Sequence, residues 1–172
     1  MHSFMRHPFI IVLVACLVVC ISCNDNKAYD HYEHTPIAGW DKVDELSFNV
    51  PALKDSGRYA TNIGLRITNA FPYQSLTLIV EQTIVSTQHN ASGNHKTSLS
   101  HKAYADTLTC ALFDNKGTIK GRGINIYQYL YRVSERNLHE GDSLHITVRH
   151  NMRREIMPGI ADVGISISRN GK

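Results

Sequence analysis

Residues 144–149 read Leu-His-Ile-Thr-Val-Arg, in which apolar and polar side chains alternate without a break. Successive side chains of a β-strand point to opposite faces, so this pattern predicts a strand with one buried and one solvated face. The same alternation occurs in residues 46–50, 63–68 and 163–167. Half-buried strands of this kind are typical of antiparallel sheets, and they predict an all-β protein.

Three longer segments extend the strand pattern. Residues 76–85, 102–113 and 124–133 are rich in β-branched and aromatic side chains, which favour strands. Residues that tolerate tight or left-handed backbone separate the runs, as at 55–57 and 140–142. About seven or eight strands joined by short turns predict a single antiparallel β-sandwich.

Two segments depart from the alternation. Residues 151–157 lack it and are followed by Pro158 and Gly159, which predicts one short helical turn near the C-terminus. Residues 86–101 are polar and rich in Ser, Thr, Asn and His, which predicts a hairpin loop. With these two interruptions, we expect the sandwich domain to span residues 44–172.

The N-terminus has the layout of a signal peptide over residues 1–22. The positive residue Arg6 precedes an apolar run at residues 8–21, and the small residue Ser22 marks the cleavage position. The apolar run is shorter than the roughly 20 residues that a transmembrane helix needs. Cys23 follows the run, and the sequence beyond it turns abruptly polar.

Residues 20–23 resemble the lipobox of bacterial lipoproteins, in which a cysteine is lipidated and becomes the mature N-terminus. We therefore expect cleavage after Ser22 and a lipid anchor on Cys23, because several buried acyl chains hold a protein at the membrane essentially permanently. Two alternatives stay open at this stage. One is lipidation at Cys16, whose local sequence also fits a lipobox, and the other is a plain transmembrane segment or a cleaved signal that carries no lipid.

Composition and motifs argue against several function classes. The formal net charge of +3 falls to +2 once Arg6 leaves with the signal, so the chain favours no polyanionic partner such as nucleic acid. The ten histidines are scattered without metal-ligand spacing, and no G-x-S-x-G motif is present. We therefore expect no metal, no cofactor and no enzymatic activity. Cys110 shares a strand face with Leu108 and Leu112, so we expect a buried, unreactive thiol.

One basic cluster is a candidate contact surface. Arg149, Arg153 and Arg154 lie close together in the sequence, near the end of the last alternating run but one. The cluster is either a solvated face or a contact with anionic lipid headgroups or a partner protein.

A second candidate surface is aromatic. Tyr127, Tyr129 and Tyr131 are spaced by two residues, so a strand places all three rings on one face. They form either an aromatic ladder against the core or an exposed strip that stacks on sugars or on a protein partner.

Three blocks of the sequence carry recognisable motifs. The first holds two tyrosines, a Pro-x-x-Gly-Trp element and two charged residues, the second runs from a strand into a Phe-Pro-Tyr corner, and the third contains the Met-Pro-Gly turn. These blocks are Tyr29-x-x-Tyr32 with Pro36-x-x-Gly39-Trp40-x-Lys42-x-Asp44, then Asn62 through Arg66-x-Thr68-Asn69-x-Phe71-Pro72-Tyr73-x-x-Leu76, and Met152-Arg153 with Met157-Pro158-Gly159-Ile160-x-Asp162-Val163-Gly164. Together they resemble the gliding-motility lipoprotein family GldH of Bacteroidota.

The resemblance implies a lipoprotein of the cell envelope, most simply of the outer membrane. It implies association through protein contacts with gliding machinery and with the secretion system on which that machinery depends, and it brings no catalytic residues. The first block lies within residues 23–43, so this lipidated tether is expected to be partly docked on the domain. The alternative is a glycan-binding surface or periplasmic lipoprotein, which exposed tyrosines on a sandwich would favour.

The resemblance also raises a modification. Thr107 and Ser143 each follow an aspartate and precede a leucine, which resembles the short Asp-Ser/Thr-apolar acceptor of O-glycosylation in this phylum. We therefore carry both residues as candidate O-glycosylation sites.

Overall fold

The structure is a computed structural model that describes residues 26–89 and 97–170, and all regular structure in them is β-strand. In chain order the strands are β1 (Lys27–His34), β2 (Trp40–Asp41), β3 (Leu46–Val50), β4 (Gly57–Thr68), β5 (Ser75–His89), β6 (Thr97–Ala111), β7 (Ile126–Leu138), β8 (Ser143–His150), β9 (Ile156–Met157) and β10 (Ile160–Arg169). These residues contain no helix of the length and apolarity that crossing a membrane requires.

Two four-stranded antiparallel sheets make up the sandwich. Sheet I has the order β1-β10-β4-β7, and sheet II has the order β3-β8-β5-β6. Strand β1 lies beside β3 and strand β7 beside β6, so the two sheets face each other with their edges aligned. The two-residue strands β2 and β9 pair separately at one end. The predicted all-β sandwich is therefore confirmed.

The core lies between the sheets and consists of the apolar side chains of each alternating run. In β4 the side chains of Ile63, Leu65 and Ile67 are buried, as the period of two predicts. Cys110 is also fully buried among these apolar groups, and burial raises the pKa of its thiol to about 12. The expectation of a buried cysteine is confirmed, and a thiol with so high a pKa is a poor nucleophile.

The strand directions divide the loops between two ends of the sandwich. At the proximal end, β1 begins and the hairpin of β5 and β6 projects, together with residues 51–56 and 139–142. At the distal end lie residues 35–45, 69–74 and 112–125, together with 151–159. Strand β4 alone has 12 residues, so the two ends stand about 40 Å apart.

The predicted helical turn at residues 151–157 is wrong. The chain bends there and then forms β9, in which Ile156 pairs with Asp41 and Met157 with Trp40. The backbone N–H of Asn151 donates to the carbonyl oxygen of Thr77 at 2.8 Å. Hydrogen bonds to distant strands therefore replace the local bonds that a helical turn would make.

Polar residues form strands in two further places. All of the described part of residues 86–101 is strand rather than loop, because β5 and β6 continue pairing as far as His89 and Thr97. Strand β1 lies inside residues 23–43, the segment assigned to a tether, and pairs with β10 along its length. Hydrogen bonds between strands satisfy the backbone polar groups whether the side chains are polar or apolar. Composition alone therefore does not reveal polar strands.

Residues 1–25 carry the predicted signal peptide, Ser22 and both candidate anchors, Cys16 and Cys23. They lie outside the described residues, so cleavage and lipidation stay predictions.

Candidate interaction surface at the distal end

Within the described part of the chain, exposed apolar side chains are concentrated at the distal end. Among the described residues, eight large hydrophobic side chains are exposed, and six of them belong to this end. These six are Ile37, Val43, Tyr73, Ile124, Ile126 and Ile156. Ile37 is fully exposed and Val43 is 82% exposed. Single exposed hydrophobic residues are ordinary, but their gathering in one set of loops indicates a surface that docks on something.

Backbone hydrogen bonds hold two of these loops against each other. The N–H of Gly39 donates to the carbonyl oxygen of Pro36 at 2.9 Å, which closes the turn that presents Ile37. The N–H of Lys42 donates to the carbonyl oxygen of Glu155 at 2.9 Å and continues the pairing of β2 with β9. The backbone that carries these exposed side chains is therefore fixed by hydrogen bonds.

A buried aromatic pair lies beneath these loops. Trp40 and His150 are both fully buried, with their rings edge to face and 5.3 Å between centroids. The indole Nε1 donates to the carbonyl oxygen of Asp44 at 3.0 Å, so the one polar atom of Trp40 is satisfied. Trp40 thus ties residues 40–44 to the end of β8 and seals this end of the core.

His150 is held as a neutral ring by its two hydrogen bonds. Its Nε2 lies 3.1 Å from the carbonyl oxygen of Trp40 and donates to it, because a carbonyl only accepts. Its Nδ1 accepts the backbone N–H of Met152 at 3.4 Å. Burial lowers the pKa of His150 below its ordinary value of 6.5, against the smaller opposing effects of its contacts with Trp40 and Glu155.

The neutral His150 should make the domain lose stability in acid. Its pKa is lower in the folded protein, so the unfolded chain binds more protons below about pH 6.5, and stability falls as the pH drops through that value. We expect the melting temperature to fall between about pH 7.5 and 5.5, and to fall less in His150→Gln. The exposed His145→Gln is the matched control, and equal pH slopes for all three proteins would contradict the prediction.

The third distal loop joins the first two through glycine and aromatic contacts. The carbonyl oxygen of Gly159 accepts the backbone N–H of Thr68 at 2.8 Å, which fixes the start of residues 69–74 against the turn before β10. Phe71 and Tyr73 pack edge to face with 5.9 Å between ring centroids. They line a small cavity of about 90 Å³ together with Phe113.

The structure separates the three arginines of the predicted basic cluster. Arg153 and Arg154 are exposed in the distal loop 151–159. Arg149 lies on the outer face of sheet II, half-buried, with its Nε 3.8 Å from a carboxylate oxygen of Glu45. Only Arg153 and Arg154 therefore present their charge beside the exposed apolar side chains.

The tyrosines at 127, 129 and 131 share one face of β7, and that face points toward the core. Tyr129 is only 7% exposed, and its ring stacks on Tyr131 at an angle of 9°. The hydroxyl of Tyr131 donates to the carbonyl oxygen of Ala111 at 2.7 Å, and burial raises the pKa of both phenols. An exposed strip is thus wrong for Tyr129, because the rings fill the space between the sheets, and Tyr127 is half-buried.

The two candidate modification sites differ in access. Thr107 is exposed on β6, whereas Ser143 is half-buried at the start of β8 beside the buried Asp142. Glycosylation of either residue stays a prediction. In the part of the chain that the structure describes, no three His, Cys, Asp or Glu side chains are grouped to hold a metal ion.

A second ordered cluster, on the outer face of sheet I, was not predicted from the sequence. Gly64 and Gly164 are cross-strand partners, and the ring of Tyr32 lies over both, so that a Cβ on Gly164 would be 2.6 Å from that ring. The guanidinium of Arg66 lies 4.3 Å from the ring centroid, and its Nη1 is 3.4 Å from the carboxylate of Asp162. A glycine inside a strand marks such a close approach, and this was the available signal.

Comparison with known proteins gives a family match over most of the chain. The family profile described as GldH lipoprotein matches residues 27–167. The gliding motility lipoprotein GldH of Flavobacterium johnsoniae is 26% identical over 163 residues, which cover 91% of this chain and 93% of that protein. Among solved structures, Eiger TNF from S. frugiperda aligns over 84% of this chain and 94% of its own, with 8% identity and a TM-score of 0.28. A TM-score this low supports no argument about fold or function.

Proposed function

Since the chain belongs to the GldH lipoprotein family, we propose that it is a non-enzymatic lipoprotein of the cell envelope, anchored at Cys23 and acting through protein contacts. Its partners in this proposal are envelope proteins of a gliding or secretion assembly, and its membrane is the outer membrane. The match to the family and the name of the Flavobacterium relative support the envelope role. The signal-like layout that ends at Cys23 supports the anchor.

The distribution of exposed apolar side chains is the observation that supports the proposed role in protein contacts. Six of the eight large hydrophobic side chains exposed among residues 26–89 and 97–170 lie at the distal end. Strand β1 begins at the opposite end, only four residues after Cys23. An anchor at Cys23 would hold the proximal end near the lipid, so the distal end would be the face that a protein partner can reach.

The charges around the distal loops fit a protein partner. Arg153 and Arg154 are exposed there, and Lys42 and Glu155 lie in the paired loops beside Ile156. Apolar side chains with a rim of charged groups, and arginine in particular, are characteristic of protein interfaces. We therefore assign Arg153 and Arg154 to the rim of the contact rather than to lipid binding.

Charged side chains placed among the exposed apolar residues of the distal end should weaken binding of the protein to its partners. The double variant Ile37→Glu with Val43→Glu alters two highly exposed loop side chains, so the fold should be retained. Burying two carboxylates in an interface is costly, and each 1.4 kcal/mol lost lowers affinity about ten-fold. We expect recovery of motility or secretion components, identified by mass spectrometry after crosslinking in cells, to fall about ten-fold or more.

Leu130→Glu is the matched control, because Leu130 is an exposed apolar residue in the middle of β7, away from both ends of the sandwich. It should leave recovery of the partners unchanged. The variant Cys23→Ala tests the anchor separately, and it should lose the same components together with membrane association. Partners recovered equally with the distal double variant would refute the distal surface, and a native chain that recovers no envelope partner would refute the assembly role.

A further inference from the structure

The hairpin of β5 and β6 extends beyond the rest of the sandwich at the proximal end. Strand β8 stops pairing with β5 at Val85, but β5 and β6 stay paired for four more residue pairs, from Ser86 with Ser100 to His89 with Thr97. At about 3.4 Å per residue this arm, formed by residues 86–89 and 97–100, extends about 13 Å past the sheet. It therefore projects from the same end at which β1 begins.

The arm and the predicted tether have matching lengths. Only Asn24, Asp25 and Asn26 separate Cys23 from the first residue of β1, Lys27. Four residues of extended chain span at most about 14 Å. A lipid on Cys23 would consequently hold the proximal end within the reach of the arm.

The chemistry of the arm suits a phospholipid surface. The sequence contains no aspartate or glutamate between Glu81 and Asp106, so no side-chain carboxylate in this stretch repels phosphate. At the base of the arm, His101 and Lys102 are exposed and offer donors to headgroups, and Leu99, which pairs with Thr87 within the arm, is 60% exposed. Serine and threonine predominate in the sequence of residues 86–89 and 97–100, so the arm fits the polar headgroup layer and not the hydrocarbon core.

We propose that the proximal end faces the membrane that holds Cys23, with the arm of β5 and β6 lying against the phospholipid headgroups. This inference rests on the anchor in the proposed function. The lipid and the arm then support the domain at two separated points, because β1 is an edge strand of sheet I on the side away from β6. A lipid alone would attach the domain at a single point about which it could rotate, whereas two points of support would hold the distal end away from the bilayer.

Site-specific fluorescence tests the orientation with the full, processed protein in vesicles of phosphatidylethanolamine and phosphatidylglycerol. Leu99→Cys and Ile37→Cys place single dye labels on the arm and on the distal end, and both native side chains are exposed. Native Cys110 stays unlabelled because it is buried and its thiol pKa is about 12. Lipids that carry a nitroxide on the headgroup should remove most of the emission at position 99 and leave position 37 unchanged.

Vesicle flotation separates the anchor from the orientation. Flotation with quenching at position 99 alone supports the inference. Flotation with no quenching at 99, or with equal quenching at 99 and 37, overturns the inference and leaves the anchor and the proposed function standing. A chain that fails to float overturns the anchor at Cys23, and with it the orientation, while the crosslinking experiment still reports on the protein contacts independently.

Discussion

Replacing Trp40 with alanine should lower the free energy of unfolding by about 3 to 5 kcal/mol, the range measured for large aromatic side chains removed from protein cores. Trp40 is fully buried, and the change would empty the space between β2, β9 and the ring of His150. It would also leave the carbonyl oxygen of Asp44 without the indole donor. Urea unfolding of the purified protein, followed by circular dichroism, measures the loss.

A neighbouring substitution provides the control for Trp40. Ile37→Ala changes a fully exposed side chain in the same loop, and it should alter the unfolding free energy by no more than about 0.5 kcal/mol. Trp40→Phe retains part of the ring and should fall between the two. A loss below about 1 kcal/mol for Trp40→Ala would show that the distal end does not depend on this residue.

Gly159→Ala should lower the free energy of unfolding by about 3 kcal/mol or more. Gly159 has a φ of +81°, a backbone conformation that disfavours every residue with a Cβ. The added Cβ would also stand 2.2 Å from the backbone nitrogen of Phe71 and 2.7 Å from the carbonyl carbon of Ala70. Main-chain atoms cannot rotate away, so the turn or the facing loop must move and weaken the hydrogen bond to Thr68.

Gly117→Ala separates the two causes of this loss. Gly117 has nearly the same φ, +79°, but no atom within 4 Å of the position that a Cβ would take. Its alanine variant should therefore lose only the conformational part, about 1 to 2 kcal/mol. Equal losses for Gly159→Ala and Gly117→Ala, measured in the same urea experiment, would show that the collision with residues 70 and 71 is relieved at no cost.

The two changes bear on the contact surface because both residues lie beneath it. Trp40 supports the turn that presents Ile37, and Gly159 fixes the loop that presents Tyr73. Partial loss of order at this end should therefore reduce partner recovery even where the sandwich still folds. The double variant Ile37→Glu with Val43→Glu differs in this respect, since it should reduce recovery with little loss of stability.

Local pattern predicted the strands wherever a segment has one buried and one solvated face. The runs around Ile63, Ile146 and Ile165 are strands in the structure, and their apolar phase is the buried one. The alternation of apolar and polar residues did not predict strands that are held by backbone pairing without a buried face. The polar arm of β5 and β6 is the example. The local pattern failed again at residues 151–157, where bonds to β2 and to Thr77 override any local preference.

The candidate surface was less accessible to sequence reasoning than the fold. Arg153 and Arg154 were candidate contact residues from the sequence, but the exposed apolar residues of the distal end come from separate loops, and nothing local joins Ile37 to Tyr73 or Ile124. The tyrosines of β7 were correctly placed on one face, yet only the packing of the two sheets decides whether that face is dry. The packing buries the ring of Tyr129 in the core.

By itself the sequence determined that this protein is an antiparallel β-protein of the GldH lipoprotein family, because side-chain period and motif spacing are properties of neighbouring residues. The tertiary structure alone decided that Tyr32 lies opposite Gly164, and that the start of β1 and the exposed apolar loops occupy opposite ends of the sandwich. Strand pairing joins residues far apart in the chain, and its choice depends on the energy of the whole core and not on any single segment.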